Sequence, residues 1–513
     1  MTDKYLLGID IGTSSSSGIL VDSDLNVVAM AEATHETSYP QPGWAEHDAE
    51  GIWWRDFRRL SQELLDRAEV DASEIASVGV SALHTNMLPL DANGSPLRPA
   101  ILYGVDTRTQ KEIKTLNDRI GTDRILNVCG NQLTFQSVGP KVLWYKRNEP
   151  ERFKRTETIL DATGYLVYKL TDNYTIDHAN ASFFHPLFDL SDLAWHDEMF
   201  EAAGLSMDLL PEPQWASDIA GEVTPAAAEA TGLAEGTPVI VGTGDSIASL
   251  VGVAAVDDRD AILMYGTTGV IYTTLDSAVT TPELWSFPHC LEDKYVLGGG
   301  MATAGAVVRW FKNEFGYEER QRAAESRSGP YELLNEKAAA VPPGSDGLVM
   351  LPYFSGERTP INDNAARGLF SGLTLSHTKG HLYRAVLEGV GYGFRHHLEV
   401  MADAGVSPKT VTATGGGAQS QLWRQIVSDI TGVTQECVTS PVGSPLGDAY
   451  LAGLGAGVFK NLDSIREHVS VIDRTTATAE RTATYDNYYS VYRDLYLQNR
   501  ANMHVLSGLV STD

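Results

Sequence analysis

The chain has 513 residues, 39 Lys and Arg against 67 Asp and Glu, and a formal net charge of −28 at pH 7. So acidic a chain lacks the basic footprint that nucleic acid requires, and no apolar run nears the ~20 residues of a membrane span, so neither a nucleic acid nor a membrane is expected as a partner. Apolar residues make up 43%, enough for two large domains or three smaller ones, and three cysteines far apart in sequence (Cys129, Cys290, Cys437) point to a reducing cytoplasm rather than a disulfide framework or a zinc site.

Residues 5–9 read as a short apolar strand ending at Asp10, and residues 18–22 as a second strand after a Thr/Ser-rich turn, together a β-hairpin. Asp48 is placed to cap a helix whose apolar positions Trp53, Phe57, Leu60 and Leu64 recur at helical spacing. Residues 78–80 read as a buried strand, and the alternation predicts an α/β domain. Residues 238–244 form a strand that ends in glycines, and 246–256 look helical. Residues 261–265 then run into a Gly-Thr-Thr-Gly turn (266–269) and a further apolar strand. That repeats the opening of the chain, with Gly12 and Gly266 half a chain apart, and implies two related domains, 1–251 and 252–513. A helix begins near Lys379 and carries Gly389, Gly391 and Gly393, which implies close backbone packing. A strand over 411–414 feeds Gly415, Gly416 and Gly417, and a helix through Trp423, Ile426 and Ile430 follows.

The two Gly-Thr turns can bring backbone N–H groups to phosphate oxygens with no Cβ in the way. Each alone also reads as an ordinary hairpin turn; their matching places in a repeat favour phosphate. Asp10 would repel a phosphate, so its natural partner is Mg²⁺. Asp245, between a strand and a helix, reads equally as a helix cap and as a base for an attacking hydroxyl. The glycines 415–417 suit a flat nucleotide or a flexible turn. The phosphate-loop pattern G-x-x-x-x-G-K-[ST] and the dinucleotide fingerprint after the first strand are both missing from the sequence. His84, Asp106 and Arg108 follow strands, where polar residues of α/β domains often face a ligand crevice. The Trp195-His196 and His396-His397 pairs read as structural.

These residues resemble the FGGY carbohydrate kinases, most nearly the xylulokinase-like branch, from Leu7 to about Gly457. The stretch GLFSGL (368–373) followed seven residues later by HLYRAVLE (381–388) is similar to the family's C-terminal signature. PKVLW (140–144) with NEP (148–150) is similar to the N-terminal one, although Val138 stands where Ser, Thr or Pro is expected. SGERTP (355–360) is typical of the branch. The resemblance implies two actin-like, ribonuclease-H-like domains around a central cleft, ATP and Mg²⁺, and transfer of a phosphoryl group to a small sugar or polyol, with a ketopentose such as xylulose first and ribulose, gluconate or a four-carbon polyol as alternatives. It implies Asp245 as catalytic base and Asp10 as the Mg²⁺-side carboxylate, acting through water. Gly12 and Thr13, and Gly266 and Thr267, are then the phosphate turns. Gly415, Gly416 and Gly417 become the adenosine motif, with Gly305 nearby. Leu83, His84, Asp106 and Arg108 join Asp245 on the sugar side, and a homodimer is the family habit. Two departures stand out. Ser17 occupies a place where the family often has Lys or Arg reaching towards phosphate. Leu83-His84-Thr85 and Tyr103 replace the Met-His-Gly and Trp common in xylulokinases. A non-sugar actin-like ATPase and a catalytically silent sugar sensor are the competing classes. The sugar-side set and base argue against the first, and Asp10 with Asp245 against the second.

Overall fold

The computed structural model describes residues 4–325, 328–439 and 443–510; the outermost residues of the two expected domains, 1–3 and 511–513, lie outside them. Two seven-stranded mixed sheets dominate the described residues. In the first, strand Tyr5–Ile11 pairs antiparallel with Ser15–Asp22 and parallel with Ile75–Ala82. Val27–Thr34 lies outside the hairpin, and Pro238–Ile240 beyond Ile75–Ala82. In the second, Asp260–Tyr265 pairs antiparallel with Gly269–Leu275 and parallel with Thr410–Thr414. Tyr295–Met301 and Gln435–Val438 take the corresponding flanking places. The repeat read in the sequence is therefore a repeat of topology. Parallel strands need helical crossovers that cover both faces, which is why the central strands 5–11 and 75–82 are almost continuously buried.

Helices form where the sequence capped them. Asp48 accepts from the N–H groups of Glu50 (3.1 Å) and Gly51 (3.0 Å), and the helix it starts runs as a π-turn over Ala49–Trp54 before Arg55–Ala68. That helix buries Phe57, Leu60 and Leu64 against the first sheet. The glycines in Lys379–Asp403 do mark close packing. A Cβ at Gly389 would stand 2.6 Å from the Met350 carbonyl oxygen, at Gly391 2.7 Å from Ile430 Cδ1, and at Gly393 2.2 Å from Met301 Sδ.

One helix crosses the repeat. Ser444–Gly455, far beyond residue 252, packs on the first sheet and on helix Asp245–Gly252. It does so backbone to backbone. A Cβ on Gly8 would meet Pro445 O, on Gly79 Asp448 O, on Gly252 Gly443 O and on Gly447 Ala248 O, each at 2.0 Å. Backbone cannot move aside as a side-chain tip can, so Gly447→Ala is expected to cost about 1–3 kcal/mol by overpacking. The measure is the urea midpoint against Gly508→Ala, whose added methyl meets nothing within 4 Å. Equal midpoints would show that the two helices separate at no cost.

Candidate active site

The first turn, Gly12-Thr13, closes the opening hairpin, and Gly12 N–H donates to Ser15 O at 3.0 Å. Three side chains fix it. Thr13 Oγ1 donates to the Tyr103 hydroxyl (3.2 Å), Thr37 Oγ1 to the Thr13 carbonyl (3.0 Å), and His35 Nε2 lies 3.1 Å from the Gly12 carbonyl. His35 is itself held by Asp56 at 2.9 Å, and Asp56 accepts from Ser16 at 2.9 Å. The second turn, Gly266-Thr267, is clamped by backbone alone. Gly305 N–H donates to Gly266 O at 2.8 Å, and the N–H groups of Ala304 and Ala306 both donate to Thr267 O at 3.0 Å. Gly305 thus holds the second turn as part of the start of helix Gly305–Phe315, and a Cβ there would stand 2.6 Å from Gly266 O.

Three carboxylates cluster at the end of the first strand, two expected and one not. Asp245 is the first residue of its helix. Gly244 occupies the cap position, and the Asp245 carboxylate accepts from the N–H of Ser246 next to it at 2.6 Å and from the Ser246 hydroxyl, not from the N–H groups two or three residues on that a cap serves. The cap reading therefore fails. Burial pushes its pKa up to about 6. Asp10 is also pushed well above the usual carboxylate range, first by burial and then by the charge of Asp245. The third is Asp448, fully buried on the crossing helix and raised by burial and then by Asp10. Ser81 Oγ lies 2.7 Å from Asp448 Oδ2 and 3.1 Å from Asp10 Oδ1. A hydroxyl has one proton to give, so the two carboxyls compete for it, the shorter contact going to Asp448. Asp448 Oδ1 is buried with no partner. A lone Asp in an apolar helix gave no sign of this in sequence; only the fold brings residue 448 to residue 10. Ser17 is the direct cross-strand neighbour of Asp10, so the place where the family often carries a cation faces the carboxylates and is filled here by a hydroxyl.

On the other side of Asp245 stands His84. Its Nε2 is 3.2 Å from Ser246 Oγ and its ring packs edge-on to Phe183 at 4.9 Å. Burial, with help from the Arg358 charge, lowers its pKa to about 4, so the ring is neutral. Its Nδ1 is buried with no partner, an opening for a ligand hydroxyl. Gly244 permits this approach, since a Cβ there would be 2.9 Å from His84 Cβ. Leu83, 2% exposed, donates its N–H to Ile11 O at 2.8 Å and belongs to the core of the first sheet. Asp106 and Arg108 are committed to each other. Asp106 is fully buried and accepts from Arg108 Nε (2.9 and 3.0 Å), Arg108 Nη2 (2.6 Å) and the Ala45 N–H (2.8 Å). The guanidinium stacks 3.8 Å from the Trp44 ring centre. Arg108 Nη1 lies 2.9 Å from a Glu46 carboxylate oxygen but makes no hydrogen bond, so the pair is largely spent on itself with one guanidinium nitrogen left over.

The glycines 415–417 divide by role. Gly415 has φ +86°, and a Cβ on Gly417 would lie 2.5 Å from the Trp423 ring. Both serve the turn over Tyr265 and Trp423. Gly416 has nothing within 4 Å of its Cβ position and is the one open to a flat ligand. Among the described residues no three His, Cys, Asp or Glu side chains converge on one ion position. The neighbouring carboxylates of Asp10 and Asp448, the latter with an unpartnered oxygen, are hard oxygen donors of the kind Mg²⁺ takes one or two at a time.

The likeness to known proteins is extensive. The N-terminal domain of the FGGY family of carbohydrate kinases matches residues 5–252 and the C-terminal domain residues 261–456. The xylulose kinase of Escherichia coli K12 is 34% identical, covering 96% of this chain and 98% of its own. The gluconokinase of Bacillus subtilis is 28% identical over 96% of this chain and 95% of its own. The crystal structure of xylulose kinase from Rhodospirillum rubrum superposes with a TM-score of 0.86 at 32% identity, covering 98% of this chain and all of that one. The chain belongs to the FGGY family of carbohydrate kinases and is an ATP-dependent sugar phosphotransferase.

Proposed function

We propose that the acceptor is a ketopentose such as xylulose and that Asp245 takes the proton of its attacking hydroxyl. The observation that carries the mechanism is Asp245 itself: a buried carboxylate free of capping duty, raised to about 6, beside a neutral His84 with an unused ring nitrogen. The hydroxyl oxygen bonds to the γ-phosphorus, the bond to the β-bridging oxygen breaks, ADP leaves, and the proton passes to Asp245. His84 orients the acceptor, and Leu83 with the Asp106–Arg108 pair shapes its wall. Gly12 and Thr13 face Gly266 and Thr267 across the phosphates, with Gly305 behind the second turn and the 415–417 turn under adenosine. Asp10 would hold Mg²⁺. When bound, the ion neutralises charge on the β- and γ-phosphate oxygens.

A second reading, an aldonate acceptor, is favoured by the likeness to gluconokinase and by a cation on the sugar side, Arg358. A coupled ADP-release assay across pentuloses, hexuloses, polyols and aldonates tests both. Acceptor-dependent ADP release greatest with xylulose is expected. Release greatest with gluconate would move the assignment to the second reading, and release indifferent to any acceptor would sink both.

A further inference from the structure

Arg358 lies on the second-half wall of a cavity of about 280 Å³ that both halves line, with Gly104 and Gln136 on one side and Trp285 and Asn364 on the other. Its loop is fixed from every direction. Glu357 and Asp363 exchange backbone hydrogen bonds of 2.9 Å in both directions. The Glu357 carboxylate accepts from the N–H groups of Ala302 (2.6 Å) and Arg358 (2.8 Å). Thr359 Oγ1 accepts from Gly300 N–H at 2.7 Å and lies 2.9 Å from His397 Nε2. Gly300 also leaves room for the guanidinium, because a Cβ there would stand 3.0 Å from Arg358 Nη2.

The guanidinium itself is under-used. Nη2 donates to Met301 O at 2.7 Å, and the group lies 5.6 Å from the Trp285 ring centre. Its Nε is buried with no partner, and among the described residues no carboxylate forms an ion pair with it. Burying a cation with unspent donors is costly. A rigid loop that nonetheless holds one over a cavity marks a ligand position. Its charge reaches His84 and Tyr103 of the first half and Tyr272 of its own half, and it helps hold His84 neutral. Neither Asp245 nor His84 lines the cavity, but Asp245 and Arg358 both act on Tyr103 and Tyr272, so the two charges flank one space and an acceptor whose hydroxyl meets Asp245 can turn its other end to Arg358.

Resting on the kinase reading above, we propose that Arg358 selects the acceptor, donating to a carbonyl or carboxylate oxygen at the end remote from the phosphorylated hydroxyl. A guanidinium only donates, and a carbonyl or carboxylate oxygen only accepts. An alditol hydroxyl in the same place must also find a partner for its own proton. The cation therefore distinguishes a ketose or an aldonate from the matched alditol.

The test is steady-state kinetics of wild type, Arg358→Lys and Arg358→Ala on a five-carbon ketose, aldonate and alditol. Wild type is expected to favour one of the first two over the alditol by about tenfold or more in kcat/KM, and which one identifies the oxygen bound. Arg358→Ala should lose about tenfold on that acceptor, through KM, while the alditol changes by less than about threefold and the KM for ATP stays put. Arg358→Lys, which keeps the charge and the loop, should fall between. Equal losses on all three acceptors, or a fall in kcat with KM unmoved, would overturn the proposal. Wild type that releases ADP with none of the three would instead overturn the kinase reading, a separate failure from turnover without discrimination.

Discussion

Asp245→Asn is expected to lower kcat by about 10²–10⁴-fold, the usual loss on removing a general base, with the KM values for ATP and sugar nearly unchanged. The substitution keeps size and the acceptor for Ser246 N–H, so the start of the helix is preserved. What is lost is a carboxylate that can take a proton. The pH profile checks the same assignment independently. The base works only when ionised, and burial raises its pKa to about 6. In wild type kcat/KM, which reports the free enzyme, should fall as pH drops through about 6 and level off above it. In Asp245→Asn the acid limb should vanish. A variant with kcat within about threefold of wild type, or one that keeps the acid limb, would remove Asp245 from the chemistry.

Much of the fold was legible because it rests on local signals. The strand ending at Asp10, the strand ending at Tyr265 and the Gly-Thr turn after each are short-range patterns, and their recurrence exposed the repeat. Asp48 was legible as a cap for the same reason. Asp245 was not, because cap and base are both Asp at a strand–helix junction; the difference is which backbone groups its oxygens reach. Asp448 and Arg358 were invisible as site residues. Each is brought to the cleft by a long-range packing event, one by a helix of the second half lying on the first sheet and the other by a loop pinned to Gly300 and His397. Asp106 and Arg108 show what position after a strand does not reveal: Asp106 takes up Arg108 Nε and Nη2, and Trp44 the guanidinium face, while Nη1 keeps no hydrogen-bond partner.

Asp10→Ala should abolish most turnover and raise the Mg²⁺ concentration for half-maximal activity by about 10–100-fold, the range found when a group that holds a metal through an intermediate ligand is removed. Sugar affinity should hardly move, because the hydrogen bonds of Asp10 run to Ser81 and those of His84 to Ser246. The alternative is that Asp10 merely receives the Ser81 hydroxyl and so seats the crossing helix through Asp448. The two roles separate in Asp10→Asn. The amide keeps an oxygen for Ser81 and nearly the same shape, but it carries no charge. If packing is the role, Asn should behave as wild type and only Ala should suffer. If the charge serves the ion, Asn should fall with Ala in turnover and in magnesium demand, while its urea midpoint stays near that of wild type. The structure favours the second outcome on energetic grounds. Asp10 is held among two other buried carboxylates, each raising the cost of its negative charge. A site that needed only a hydrogen-bond acceptor would be cheaper with an amide, whereas an arriving divalent cation turns the same repulsion into attraction.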